Sequence, residues 1–270
     1  MGFALGNFLT IPLILFLINY FILPETTLLN LDKSQFEHVR AVPVLVAIWF
    51  LIFSIPIFVY IQFSKPRKAT SRRNVKPLIT LILNKRKLTN LGKFLVARLF
   101  YADAIIAIQI SVGIFTVTVL GLSAKELFQL VLLTAITQGI GAVLGGFLND
   151  KIGSKKIIQL CLYCVFLAIL GLVFFQDKIS FILIFQFGAF FFGTLQSASR
   201  VMMTNLVNEN NLGQGFGLFT LASRSTAILG PIMIGSITYF TNLNFGFLSI
   251  TILILAGILM IKKVNVPKSY

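Results

Sequence analysis

The stretch Gly146-Phe-Leu-Asn-Asp150-Lys151-Ile-Gly153-Ser-Lys155-Lys156 decides how the chain is read. It is a short polar turn between two apolar runs, residues 127–148 and 157–175. Gly146 and Gly153 allow close backbone approach and a tight turn. Asp150 can accept hydrogen bonds from a helix N-terminus or an arginine. Lys151, Lys155 and Lys156 put three positive charges beside two hydrophobic runs, which is how a cytoplasmic loop of a membrane protein is built.

Composition agrees. Of the residues, 57% are hydrophobic and only 11% charged, and mean hydropathy is +0.93. A soluble domain is about one quarter charged and could not hide so much apolar surface from water. A spanning helix needs about 20 mostly apolar residues. Eight segments reach or approach that length: 3–23, 41–63, 94–119, 127–148, 157–175, 180–203, 216–240 and 245–261. The expected fold is all-α, a polytopic bundle of about eight transmembrane helices. Two of them precede a basic stretch, 64–93, and six follow it.

The net charge of +15 invites a nucleic-acid reading, but the distribution excludes it. Of the 23 basic residues, sixteen fall in the 64–93 stretch, the 146–156 turn and the C-terminal tail, all on one side of the expected bundle. Four fall in the opposite loops and three, Arg98, Arg200 and Arg224, within helices. This asymmetry predicts a cytoplasmic C-terminus, and the membrane expected is a plasma membrane of bacterial type. Within the basic stretch, residues 77–91 mix leucines and isoleucines with cations. They read either as a helix lying in the membrane interface or as a solvated linker near anionic lipid.

Charged residues inside the membrane are expensive and usually functional. Asp103 lies about nine residues, or about 14 Å, into its expected helix, near the midplane. Arg224 reaches a similar depth from the same side. The two are candidates to pair, to clamp a charged or zwitterionic solute, or, for Asp103, to carry a proton; the alternative is a static ion pair that only fixes packing. Arg98 is near enough to the helix end to snorkel to the surface. Arg200 is expected to meet lipid phosphate or a loop carboxylate such as Asp150. Tyr101, Gln138 and Gln196 are the first polar candidates to line a cavity. Gly141-x-x-x-Gly145 gives a small-residue face, for packing inside the bundle or for dimerisation. Pro231, after Gly230, is expected to kink its helix, as are Pro12, Pro43 and Pro56.

Cys161-x-x-Cys164 is either a redox pair or two small apolar residues in a lipid-embedded helix. A single histidine, His38, makes no metal site. No phosphate-binding loop, Ser-His-Asp set or paired carboxylates occur. The expectation is a membrane protein with no cofactor and no bound metal, rather than an enzyme.

The turn matches G-x-x-x-D-[RK]-x-G-x-[RK]-[RK] at every specified position and resembles the loop signature of the major facilitator superfamily. FLVARLFYAD (94–103), QSASR (196–200), FGLFTLASRSTAILGP (216–231) and GFALG (2–6) resemble the branch that includes the autophagy-related vacuolar effluxers and their bacterial relatives. The chain departs from that pattern at Ala104, where relatives carry Gly, and at Arg224, where they often carry Lys. The resemblance implies a bundle of major facilitator type that moves a small solute, amino acids or similar metabolites, by alternating access. It assigns 1–63 to the last two helices of an N-terminal half, 64–93 to a cytoplasmic linker and 94–270 to a six-helix C-terminal half. The helices of Asp103 and Arg224 would be neighbours. Four preceding helices would come from a longer gene product or from a partner chain; otherwise the chain is a remnant that does not transport. The partners implied are the lipid bilayer and a small-molecule solute, with no nucleic acid.

Overall fold

A computed structural model describes residues 2–17, 19, 20, 24, 31, 32, 34, 35, 37–60, 78–84, 87–225 and 227–265, with side chains at 2–5, 7, 38, 39, 57, 60, 78, 124 and 210 outside that description. The expectations that the His38 side chain binds no metal and those for the basic residues of 64–77 therefore fall outside it. The chain divides into two compact units, 8–75 and 1–7 with 76–270.

The first unit holds most of α1 (Gly2–Leu17) and all of α2 (Glu37–Tyr60). Both helices run on through their prolines, Pro12 in α1 and Pro43 and Pro56 in α2. A local turn leads into α2: the Asp32 carboxylate accepts from the Ser34 amide at 2.8 Å, and the Asp32 amide donates to Glu37 Oε2 at 2.9 Å. Val44, Phe50 and Phe58 are more than half exposed. That is unfavourable in water and unremarkable in hydrocarbon.

In the second unit come α3 (Leu78–Ile82), the two-residue strands β1 (Leu83–Asn84) and β2 (Lys87–Leu88), then α4 (Asn90–Thr118), α5 (Ala124–Ile152), α6 (Ser154–Phe174), α7 (Lys178–Leu206), α8 (Leu212–Arg224), α9 (Leu229–Phe240) and α10 (Leu243–Lys262). Among the described residues, six stretches are long and apolar enough to cross a membrane: α4, most of α5, α6, α7, α8 together with α9, and α10. The protein is an all-α membrane helix bundle.

Two expectations are corrected. The segment before α4 is not one continuous helix. It is one short helical turn and a tight antiparallel hairpin, with Leu83 opposite Leu88. Thr89 holds it to α4: its hydroxyl donates to the Leu81 carbonyl at 2.6 Å and accepts from the Gly92 amide at 3.0 Å. The seventh segment is not one helix. It breaks after Arg224 and resumes at Leu229. The cause is Pro231, which has no N–H for the Ala227 carbonyl and whose ring crowds that carbonyl, so the helix cannot run through.

Caps fix the remaining ends. Ser123 and Glu126 form a reciprocal capping box at α5. Asp177 caps α7 by accepting from the Ser180 amide at 2.9 Å, a bond that holds its carboxyl below the usual range. Asn242 caps α10 through the Phe245 amide at 3.1 Å. Lys178 pairs with Glu126, tying α7 to α5.

The tightest packing is between α5 and α7. A Cβ at Gly141 would collide with the Phe190 carbonyl, one at Gly193 with the Gln138 carbonyl, and one at Gly145 with the Thr194 side chain. Thr194 uses the close approach to donate to the Gly141 carbonyl at 2.7 Å. The Gly141-x-x-x-Gly145 face is thus spent inside the bundle. Gly146 has open space where a Cβ would stand, so the close contact belongs to its neighbour. Gly193→Ala should therefore destabilise the bundle by about 1–3 kcal/mol through overpacking, and Gly146→Ala should leave it unchanged. Thermal unfolding of the two variants, followed by size-exclusion fluorescence, checks both outcomes.

Candidate functional site

Three groups of polar residues inside the six-helix unit bear on function, two of them on α4. Asp103 is the first. Because α4 begins at Asn90, Asp103 is the fourteenth of its 29 residues, the middle of the helix. It is 1% exposed. Its Oδ2 accepts from the Gly230 amide at 2.8 Å, and its Oδ1 meets no partner among the described residues. Gly230 is the second residue of α9, so its amide is one of the unpaired donors that every helix start presents. A carboxylate also suits the positive end of a helix dipole. Contact is close because residue 230 has no side chain: a Cβ there would stand 2.6 Å from that of Ala107.

The Asp103–Arg224 pair does not form. Arg224 ends α8 on an exposed face with Gly213, Gly217 and Thr220. The opposite face, carrying Gly215 and Phe219, is buried. Five residues separate Phe219 from Arg224, which turns the arginine away. The backbone amide of the helix break takes the place expected for its guanidinium.

Arg98 is the second place. Expected at the membrane surface, it is 4% exposed. Its guanidinium donates to Gln196 Oε1 at 3.1 Å and to the Tyr101 hydroxyl at 3.4 Å, and lies 3.9 Å from the Phe219 ring centroid. Tyr101 is fully buried, with its hydroxyl 2.9 Å from Ser199 Oγ. Aromatic faces and neutral oxygens, rather than a carboxylate, stabilise this cation. The signal was present in sequence: Arg98 with Tyr101 on one helix and Gln196 with Ser199 on another are each spaced i, i+3, so each pair shares a face.

The third place is a cavity of about 340 Å³ among α4, α5, α6 and α7. Gln138 lines it, together with Gln109 and Thr134. Tyr101 and Gln196 do not.

The polar turn 146–156 caps two helices. Gly153 takes φ 85°, which favours glycine, and ends α5. Lys155 donates to the Lys262 carbonyl at 3.0 Å, tying α6 to the negative end of α10. Asp150, Lys151 and Lys156 are exposed. Cys161 and Cys164 are free thiols on α6. Among the described residues, no three His, Cys, Asp or Glu side chains group as a metal would require.

If the Gly230 amide needs the Asp103 acceptor, Asp103→Asn should retain near-parent stability. Asp103→Leu should lose about 1–3 kcal/mol by stranding that amide. Thermal unfolding in detergent distinguishes the two.

Comparison with known proteins places this geometry in a family. Over residues 1–270 the chain matches the family described as vacuole effluxer Atg22 like. It is 25% identical over 248 residues to autophagy-related protein 22 of Vanderwaltozyma polyspora, covering 80% of this chain and 48% of that protein. It is 22% identical over 222 residues to the uncharacterised MFS-type transporter YxiO of Bacillus subtilis, covering 80% of this chain and 51% of that one. The chain thus spans about half the length of these curated relatives. It belongs to the Atg22-like vacuole effluxer family.

Proposed function

We propose that the protein takes part in secondary or facilitated transport of a small solute across a membrane, by alternating access. Amino acids or similar metabolites are the class that the resemblance implies. The observation that carries this reading is the family match along the whole chain. Six apolar helices around a mid-membrane carboxyl group support it. In this reading Asp103, Arg224, Tyr101, Gln138 and Gln196 belong to the solute or proton pathway. The turn residues Gly146, Asp150, Lys151, Gly153, Lys155 and Lys156 lie on the cytoplasmic side. The basic residues there put the C-terminus inside, in a bacterial-type plasma membrane.

A second reading is favoured by the relatives' greater length: transport needs further helices, brought by a companion chain. Vesicles holding this chain, with and without an added N-terminal half, separate the two when loaded with a labelled amino-acid panel. Transport by the chain alone supports the first reading, and transport only with the companion supports the second. Under whichever condition is active, Asp103→Asn should lower the rate at least about tenfold, the loss expected when a charge-dependent interaction of about 1.4 kcal/mol is removed. Unchanged rates in both Asp103→Asn and Arg224→Gln would remove these residues from the pathway.

A further inference from the structure

The cavity among α4, α5, α6 and α7 has a composition that selects its occupant. Its volume, about 340 Å³, lies within the range of about 300–1,000 Å³ typical of small-molecule sites. Its walls are apolar, with Ile108, Val112, Leu130 and Phe185 among them. Among the described residues no ionisable side chain lines it, and Asp103 is not in its wall. Of the three polar side chains that do line it, Thr134 is already engaged. Its hydroxyl donates to the Leu130 carbonyl at 2.7 Å and accepts from Gln186 Nε2 at 3.0 Å. The amides of Gln109 and Gln138 hydrogen-bond no other described residue.

We propose that this cavity binds an uncharged, mostly apolar small molecule whose hydrogen-bonding group meets the Gln138 and Gln109 amides. A charged or zwitterionic molecule would leave its charge unpaired inside the membrane, which costs at least about 2.5–3.5 kcal/mol. A lipid acyl chain would fill the volume but leave both amides unmet. The inference goes beyond the transport reading: its occupant is a second molecule, distinct from the amino-acid solute proposed above, and binding alone tests the site.

The test uses the full chain in nanodiscs of phosphatidylethanolamine and phosphatidylglycerol, with empty nanodiscs subtracted. The probe is 2-naphthol, uncharged at neutral pH, against 2-naphthalenesulfonate, its charged counterpart of similar shape. The expected result is saturable binding of 2-naphthol, one per chain, and none of the sulfonate. Ala135→Trp, which fills the cavity from α5, should lower affinity by more than about tenfold. Gln138→Leu should lower it about three- to tenfold, the effect of one hydrogen bond. Should the tryptophan variant fail to fold, Ala135→Cys supplies the same answer: 2-naphthol should slow its alkylation by N-ethylmaleimide. The proposal is overturned if the sulfonate binds as well, if neither Gln138→Leu nor the Ala135 variants respond to the probe as stated, or if a co-purified lipid occupies the cavity and resists the probe. Binding without transport of any solute would overturn the function proposed above and leave this site standing.

Discussion

Hydrocarbon offers no hydrogen bonds, so a helix that breaks inside a membrane must find partners for its freed backbone within the protein. The start of α9 is such a place. Pro231 has no amide hydrogen, the Ile232 amide donates to the Ile228 carbonyl at 3.1 Å, and the Gly230 amide donates to Asp103. That last bond holds the broken helix against α4 at the depth where a free amide would cost most. It depends in turn on glycine at 230, because any side chain there would push α9 away from Ala107. The position of α10 follows, since α10 packs closely on both α4 and α9.

The unit is closed in some places and open in another for one geometrical reason. α5 is committed to α7 by the glycine seam, and α4 to α8, α9 and α10. Between these two commitments α4 and α5 scarcely touch, and the cavity fills the gap. Where α4 and α7 do meet, the contact is polar: Arg98 and Tyr101 reach Gln196 and Ser199. A polar join at one level and an apolar opening at another let the same pair of helices be fastened without being packed along their whole length.

Much of this was legible in the sequence. Runs of about 20 apolar residues are a strong signal, and the helices α4 to α7 and α10 appear where those runs are, extended at their ends by polar caps such as Thr89, Ser123 and Asp177. The break between α8 and α9 was announced by Gly230-Pro231, though as a kink rather than an interruption, because an apolar run does not reveal which amides lose their partners. Arg98 was misplaced for a related reason. Distance from a helix end predicts how far a side chain can snorkel, but what turns it inward is the neighbouring helix, and Gln196 lies 98 positions away. Likewise the signature points at Gly146, whereas the seam uses Gly145. One residue along a helix is a turn of about 100°, since 3.6 residues complete a turn, and a motif does not say which of two adjacent glycines faces the neighbour.

The pattern of charge on α4 bears on what the fold needs and what it does not. Arg98 and Asp103 are five residues apart on one buried helix, and they point to different partners, neither of them an ion. Each bond that Asp103 makes for the fold could be made by a neutral side chain: an asparagine oxygen accepts the Gly230 amide as readily. The geometry therefore accounts for an acceptor at position 103 but not for a group that can gain or lose a proton there. Among the described residues Oδ1 meets no hydrogen-bond partner, so it is free of the fold and open to a cation, a solute or a rearrangement of α8 and α9. A carboxyl group with one oxygen bound by the fold and the other not, placed at mid-membrane beside a broken helix, is physically suited to respond when the surrounding helices move. This is the ground on which the transport reading puts Asp103, rather than the more exposed Arg224, at the centre of the pathway.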